Sequence, residues 1–225
     1  MVNTVSWNEV ATQPKPRRAY RSRARAEQAK RTRQRILDAA RELFLVQGFA
    51  ATTIAAVAER AELAPETVYS TYRSKAGLLG GVVRAAVTRG DEPDDPLQRR
   101  WVKELLDLPD LEARLAAFAR HAAATLELTS PMYAVIRSAG TGAEELSGLD
   151  AELREMRHGQ QATVMRAIVD GGTLAAGLSV KGAAETFSAL ASPELYQLLT
   201  KGRGWSPKRY SKWLEGMIKS VLLPG

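Results

Sequence analysis

The chain of 225 residues contains no cysteine and only two histidines, His121 and His158. The lack of cysteine excludes disulfide bonds, thiolate metal sites and a cysteine nucleophile. The two histidines lie far apart in the sequence, so they do not form a metal-binding motif, and no nucleophile elbow is visible. We therefore expect that the protein is not an enzyme and that it needs no metal or other cofactor.

Long apolar runs are also absent. No stretch approaches the roughly 20 apolar residues that a helix needs to cross a bilayer. The first 20 residues lack the continuous apolar region of a secretory signal. Hydrophobic residues make up 45% of the chain and charged residues 25%, which is typical of a globular protein with a real core. These features predict a soluble protein of the cytoplasm.

Acidic residues are scarce in one segment near the N-terminus. Residues 15–35 hold ten basic side chains and a single acid, Glu27, which leaves 22 basic and 24 acidic residues in the rest. Such a block indicates contact with nucleic acid or with an anionic membrane, although a solvated tail is a further interpretation. Membrane anchors pair basic residues with large apolar ones. This segment offers only Tyr20 and alanines, so a membrane-surface protein is the weaker alternative.

Hydrophobic periodicity divides the N-terminal part of the chain. Residues 1–27 show none, so we expect a basic and largely disordered arm. From residue 28 the spacing is helical, and Gly48 ends the first helix. Thr52 or Thr53 can cap a short second helix, and Pro65 suits the first turn of a third helix that runs to about Tyr72. Two short helices joined by a tight turn are typical of a helix-turn-helix, which we assign to a DNA-binding domain over residues 28–90.

The remaining sequence indicates further helices. The stretch "GDEPDDP" contains an acidic linker, residues 91–96, before a second domain over residues 97–225. Ser192-Pro193 should break a helical run. No alternating pattern predicts a strand, so the fold class is all-α with about nine to ten helices. The helices expected in the second domain span about 97–107, 110–128, 131–140, 149–170, 180–200 and 207–222.

The stretch "RQRILDAARELFLVQGFAATTIAAVAERAELAPETVYSTYRSKAGLL" resembles the DNA-binding domain of the tetracycline-repressor (TetR) family of transcriptional regulators. The resemblance covers about residues 30–85 and includes the "GF" turn, "TVY--Y" in the third helix and "SK--LL" at the fourth. "SPELYQLLTKGRGWSPKRYSKWLEGMI" is similar to one recurrent branch of the C-terminal half. The chain departs from the family in the turn and at the end of the third helix. Glu62 stands where the turn favours glycine, Ala64 stands where serine would cap the third helix, and Thr71-Tyr72 replaces the family's common His-Phe.

The resemblance implies a regulator of transcription, in most cases a repressor that a small-molecule effector releases from DNA. It also implies a homodimer that binds a palindromic operator. The dimer interface is expected on the 180–200 and 207–222 helices, with part of 149–170. A regulator that acts without any ligand is the alternative.

The third helix is the expected recognition helix. Val68 and the ring of Tyr72 should face the protein core. Glu66 has two open interpretations: its carboxylate accepts a hydrogen bond from a cytosine amino group, or it only favours the start of its own helix. By resemblance, Tyr69, Lys75 and Thr53 should contact phosphates, and the basic arm should add salt-sensitive affinity. The residues predicted to contact DNA are Thr53, Ala64, Pro65, Glu66, Thr67, Tyr69, Ser70, Thr71, Lys75, Arg21, Arg23 and Arg25.

An effector pocket is expected between the helices of residues 97–175, as is common for sites within helical bundles. For each candidate residue, ordinary core packing is the competing interpretation. Their side chains favour an effector that is mostly apolar. The candidates are Trp101, Phe118, His121, Met132, Tyr133, Ile136, Met156 and Met165.

Overall fold

A computed structural model of the chain describes residues 17–88, 93–139 and 144–224. Within these ranges the fold is all-α, because every regular element is helical and none is a strand. The all-α class expected from the sequence is therefore confirmed.

Four helices form the N-terminal unit. They are α1 (Arg17–Ala51), α2 (Ile54–Arg60), α3 (Pro65–Tyr72) and α4 (Lys75–Thr88). Gly48 interrupts the end of α1 with a φ of 76°, a left-handed value that suits glycine, so the expected stop signal is confirmed. Thr53 caps α2 through a hydrogen bond that its side chain accepts from the Ala56 amide at 3.0 Å.

The rest of the described chain forms a helical bundle. It contains a 3₁₀ turn (Pro96–Gln98), α5 (Arg100–Leu106), α6 (Leu111–Ser138), α7 (Glu144–Val169), α8 (Val180–Leu190), α9 (Pro193–Gln197), a π-helical segment (Leu198–Gly202) and α10 (Pro207–Leu222). The expected break at Ser192-Pro193 is confirmed, because Ser192 caps α9 and Pro193 occupies its first turn.

Helix α1 begins earlier than the sequence pattern indicates. The prediction of a disordered segment is wrong for residues 17–27, which belong to α1, while residues 1–16 lie outside the described part. The reason is composition, since alanine, arginine, glutamate and glutamine favour helix even where no face is buried. No described side chain from residue 24 to residue 35 is buried. This part of α1 is therefore an exposed helical extension, and the prediction failed because it relied on hydrophobic periodicity.

Helix α6 replaces two expected helices. Residues 110–128 and 131–140 were predicted to be separate, yet α6 continues through Pro131. Tertiary packing holds it, because its N-terminal half lies against α10 and its C-terminal half against α1 and α4. Burial on both sides of the proline outweighs the missing backbone hydrogen bond.

Two hydrophobic cores organise the bundle. The first joins α1–α4 to Met132 and Ile136 of α6 and to Leu149 and Leu153 of α7. The second joins the N-terminal half of α6 and the C-terminal half of α7 to α5, α8 and α10. The first core thus extends well beyond residue 90, and α6 and α7 connect both cores.

Candidate nucleic-acid interface and internal cavity

Helices α2 and α3 are joined by a four-residue turn whose conformation depends on α1. Glu62 adopts a φ of 53°, in the region that favours glycine. The Arg35 guanidinium donates to the Ala61 carbonyl at 2.5 Å and to the Glu62 carboxylate at 3.0 Å. The Leu63 amide donates to the Ala58 carbonyl at 2.9 Å, which closes the turn on α2. Arg35 thereby ties a strained turn to the long first helix.

Helix α3 separates into a buried side and an exposed side. Val68 is fully buried in the first core. Tyr72 is half-buried and packs on the same core, so its predicted packing role is confirmed. Tyr69 is 53% exposed and Thr67 is half-buried. The other predicted contacts of this segment are exposed: Ala64, Pro65, Glu66, Ser70 and Thr71.

The first turn of α3 lacks a side-chain cap. Ala64 occupies the cap position in extended conformation and makes no side-chain hydrogen bond there. The sequence predicted that this helix has no side-chain cap, and the structure confirms it. The Ser70 and Thr71 hydroxyls both donate to the Thr67 carbonyl, at 3.0 and 2.9 Å. Their oxygens therefore remain available chiefly as acceptors.

Helix α3 rests closely on α4. A Cβ atom at Gly77 would lie 2.3 Å from the Tyr72 carbonyl oxygen. Only glycine permits this approach of the two backbones. The start of α4 and the C-terminal end of α3 are therefore in direct backbone contact.

Lys75, a predicted phosphate contact, also has a structural role. Its ammonium donates to the Phe49 carbonyl at 2.8 Å and to the Ala50 carbonyl at 3.3 Å. It also lies 4.3 Å from the centroid of the Phe49 ring. These carbonyls follow the kink at Gly48, so Lys75 neutralises the end of α1. Thr53 is exposed while it caps α2, which leaves its hydroxyl proton free to donate.

The exposed extension of α1 lies beside α3. Arg25 and Arg33 share one open groove with Ser70, Thr71 and Tyr72. Burial raises the pKa of the Tyr72 phenol, and the nearby charge of Arg33 opposes that rise. The structure therefore brings one predicted arm residue, Arg25, next to the predicted recognition helix. Arg21 and Arg23 lie further along α1 toward its N-terminus.

A cavity of about 70 Å³ lies where the two cores meet. Its wall comes mainly from α6 and α7, at the segments between their two apolar stretches. Val87 in the last turn of α4 and Ala191 after α8 complete it. The cavity therefore touches both the N-terminal unit and the C-terminal bundle.

Aromatic rings stack at one end of the cavity. The Trp101 and His121 rings are parallel, with centroids 3.6 Å apart. Phe118 stacks on Phe187 at 4.1 Å and lies 6.1 Å from Trp101. His121 is thus a wall residue in an aromatic stack, which agrees with the expectation that it packs.

Five of the eight predicted pocket residues line this cavity: Trp101, Phe118, His121, Tyr133 and Met156. The other three do not. Met132 and Ile136 pack in the first core, and Met165 packs in the second. The structure places these three among core residues because they face the neighbouring helices instead of the gap between the cores.

The sequence analysis did not predict the polar residues of the cavity wall. Thr125 and Thr129 contribute from α6, and Arg157, Gln160 and Gln161 contribute from α7. Arg99 is 2% exposed and donates to the Pro93 carbonyl and to Gln160. The available signal was the interruption of the apolar stripe of α7 by polar residues between Leu153 and Val164.

The described residues form neither a metal-binding cluster nor a membrane-spanning helix. They contain no group of three or more histidine, aspartate or glutamate side chains placed to share a metal ion. No helix among them is long and apolar enough to span a membrane.

Sequence comparisons identify the N-terminal unit. Residues 36–82 match the family model described as bacterial regulatory proteins, tetR family. The uncharacterized HTH-type transcriptional regulator TtgW of Pseudomonas putida is 34% identical over 83 residues. The matched segment spans 36% of this chain and 62% of that relative, less than two thirds of its length.

Solved structures with the same fold extend over nearly the whole chain. NalD, the secondary repressor of the MexAB-OprM multidrug efflux pump in Pseudomonas aeruginosa, is 22% identical with a TM-score of 0.64. The match covers 88% of this chain and 98% of NalD. A putative transcriptional regulator from Saccharomonospora viridis, solved in complex with choline, is 21% identical with a TM-score of 0.60, covering 84% of this chain and 96% of that one. At these identities the likeness shows the fold alone.

Proposed function

From the match of residues 36–82 to the tetR family model, we propose that the chain is a regulator of this type: a dimeric, DNA-binding repressor of transcription controlled by a small molecule. The observation that carries the proposal is the exposed side of α3. This side presents hydroxyls, a carboxylate and a helix start to solvent, while Val68 anchors the other side. The protein would act in the cytoplasm, on the chromosome, without catalytic activity.

The exposed side of α3 fits the major groove. A recognition helix contacts base edges with its N-terminal residues. Glu66 and Thr67 lie there, and Tyr69 extends an exposed phenol that can reach a phosphate. Thr53, Lys75 and the start of α2 would hold the sugar-phosphate backbone beside the groove.

The helical extension of α1 would add affinity that depends little on sequence. Arg25 and Arg33 lie in the groove beside α3, so their charges reach the same DNA. Arg21 and Arg23 would continue this contact along the duplex. Each phosphate contact releases counterions and steepens the salt dependence of binding.

The cavity offers a route from an effector to α3. Val87 of α4 forms part of its wall, and α4 contacts Tyr72 of α3 at Gly77. A ligand that widens the cavity would shift α4, and with it the spacing of the two recognition helices. Such a ligand changes DNA affinity only by its difference in affinity for the two states. The choline complex of the S. viridis regulator supports a ligand-binding role for this fold.

The proposed dimer interface lies on α8 and α10. Tyr210, Leu214 and Ile218 of α10 are buried within the chain and are not available to a partner. Trp213, Met217 and Val221 remain partly exposed along the helix. Two such surfaces related by a twofold axis would set two α3 helices on one palindromic site.

Selection from a random duplex library tests the function. The full chain should recover a palindrome with half-sites one duplex turn apart or a multiple of it. Recovery of no enriched sequence would contradict sequence-specific binding.

Single substitutions then test the readout side of α3. Glu66→Ala and Thr67→Ala should change discrimination against single-base variants of the recovered site, by about 1–3 kcal/mol for a direct contact. Glu155→Ala, which removes an exposed carboxylate on α7, is the matched control and should leave discrimination unchanged. Unchanged discrimination in both α3 variants would place base recognition elsewhere.

A charge-removal experiment tests the extension. Arg25→Ala with Arg33→Ala should reduce the slope of log affinity against log salt by about 0.9 for each phosphate that the two arginines neutralise. The double substitution should weaken binding to operator DNA and to random DNA by the same factor. An unchanged slope would show that the extension does not contact DNA.

A further inference from the structure

Three residues of the cavity wall carry buried polar atoms that have no hydrogen-bond partner within the described part of the chain. They are the Trp101 indole N–H, the Arg157 Nε–H and the Gln161 side-chain oxygen. Buried polar groups in proteins are almost always satisfied, and leaving one unpaired costs about 1–3 kcal/mol. Their concentration in one cavity therefore points to a partner that binds there.

The chemistry of the three atoms specifies that partner. Trp101 and Arg157 supply two donors, and the Arg157 donor carries positive charge. Gln161 supplies one acceptor. The Arg157 guanidinium contacts the Tyr133 side chain, and no described residue of the wall is an aspartate or glutamate. The unsatisfied set is therefore complementary to a ligand with an anionic acceptor and, elsewhere on the molecule, a hydroxyl or another donor.

The rest of the wall specifies the body of the partner. Trp101, His121 and Phe118 offer stacked ring faces. Apolar side chains such as Val87, Leu126 and Val164 line the remainder. The volume of about 70 Å³ is below the roughly 150 Å³ of an engineered cavity that takes benzene. A single flat ring is therefore a body that fits this volume with modest wall movement.

We propose that the effector is a small aromatic carboxylate, preferably one with a ring hydroxyl, held by Arg157 and Trp101 through its carboxylate and by Gln161 through its hydroxyl. This inference rests on the proposed function, because it assigns the ligand class of the effector cavity. It also refines the expectation of a mostly apolar effector. Arg157 belongs to α7, so the carboxylate would bind on the α7 side of the cavity.

Calorimetric titration of the full chain tests the ligand class. The probes are benzoate, 4-hydroxybenzoate, the neutral benzyl alcohol and the cations benzylamine and choline. Benzoate should bind at least about tenfold more tightly than benzyl alcohol, as expected for one charged hydrogen bond of 1.5–3 kcal/mol. 4-Hydroxybenzoate should bind more tightly again. Equal or tighter binding of benzylamine or choline, or binding of no probe, would overturn the proposal.

Substitutions locate the binding. Arg157→Met should weaken the binding of benzoate about tenfold or more. It should change the affinity for benzyl alcohol by less than about twofold. Arg166→Met removes the same charge from an exposed position on α7 and should change neither of these two affinities. Trp101→Phe keeps the ring and removes the N–H, so it tests the site if Arg157→Met fails to fold. Unchanged benzoate affinity in a folded Arg157→Met or Trp101→Phe variant would overturn the assignment.

The same protein distinguishes this inference from the function itself. Operator selection and gel shift are performed without any probe. A recovered palindrome with no carboxylate binding would reject the ligand class and leave the DNA-binding function intact. Carboxylate binding with no recovered DNA sequence would reject the DNA-binding function and leave the ligand class intact.

Discussion

Two basic residues beside the proposed recognition helix have structural roles. Lys75 was predicted to contact a phosphate, and Arg35 belongs to the basic segment of residues 15–35. In the structure both donate to backbone carbonyls of neighbouring segments, Lys75 to Phe49 and Arg35 to Ala61. Their substitution therefore affects stability as well as electrostatics, and the two effects must be measured separately.

Lys75→Ala should weaken binding to operator DNA and to random DNA alike. It should also reduce the slope of log affinity against log salt by about 0.9 per protomer. It should also lower the free energy of unfolding by about 1–3 kcal/mol, because the variant cannot form the hydrogen bonds of the charged ammonium. Filter binding over a salt series and chemical denaturation measure the two effects. Lys103→Ala, at an exposed position of α5, should alter neither. A stability loss without a change of slope would make Lys75 purely structural.

Glu62 tests the strain in the turn. The left-handed conformation costs a non-glycine residue roughly 1–2 kcal/mol, while the exposed pair with Arg35 contributes about 0–1 kcal/mol. Glu62→Gly should therefore be more stable than Glu62→Ala by about 1 kcal/mol in denaturant unfolding. Equal stability of the two variants would show that the turn is not strained at this residue.

At the scale of elements, the short helices depend on their ends and neighbours. Helix α3 has eight residues, no side-chain cap and a single fully buried side chain, Val68. A helix of this length is not stable alone. Its position is set by Arg35 at one end and by its close contact with α4 at the other.

Ala64→Ser should restore a cap to α3. The serine oxygen can accept from the Thr67 amide, which now donates to the Ala64 carbonyl at 3.0 Å. The expected gain is about 1 kcal/mol in the free energy of unfolding. Ala64→Gly should gain much less. A serine variant that is no more stable than the parent would show that the cap geometry is not reached.

The contact between α6 and α10 should depend on pH. Burial raises the pKa of the Glu215 carboxyl, but hydrogen bonds and charges from Arg120 and Lys219 outweigh it, so the net pKa is lowered from 4.5. Its stabilisation is therefore complete above pH 4.5 and is lost as the pH falls through the lower folded-state value. Glu215→Gln should be less stable than the parent by up to about 1 kcal/mol at neutral pH. Denaturation near pH 3 should show a much smaller difference, and an equal difference at both pH values would contradict this.

At the scale of the whole molecule, α6 and α7 link the two cores. The cavity lies between those cores and touches α4, so the proposed ligand site and the proposed DNA-binding surface share one continuous set of packed helices. The same architecture leaves Trp213, Met217 and Val221 of α10 partly exposed, where the proposed dimer would form. Function at this scale would then depend on how the two chains of that dimer pair.

Met217→Glu should convert the proposed dimer to monomers and reduce operator affinity. Met217 is half-buried at the edge of the α10 surface, so the fold should survive while a buried charge at the interface is costly. Sedimentation over a concentration series measures the association, and circular dichroism checks the fold. Lys212→Ala changes the net charge equally at an exposed position and should remain dimeric. A folded dimer with glutamate at position 217 would move the interface elsewhere.

The sequence by itself determined the all-α class, the break before Pro193, the presence of a short α2 and the bounds of α3. These follow from periodicity and from residues with special backbone preferences, such as Gly48 and Pro65, which act locally. Tertiary structure alone decided that α6 continues through Pro131, that Arg35 holds the turn and that Met132 and Ile136 pack in a core. It also gathered Trp101, Arg157 and Gln161 at one cavity. The physical reason is that burial and hydrogen-bond satisfaction depend on contacts between residues far apart in the chain, which no local pattern records.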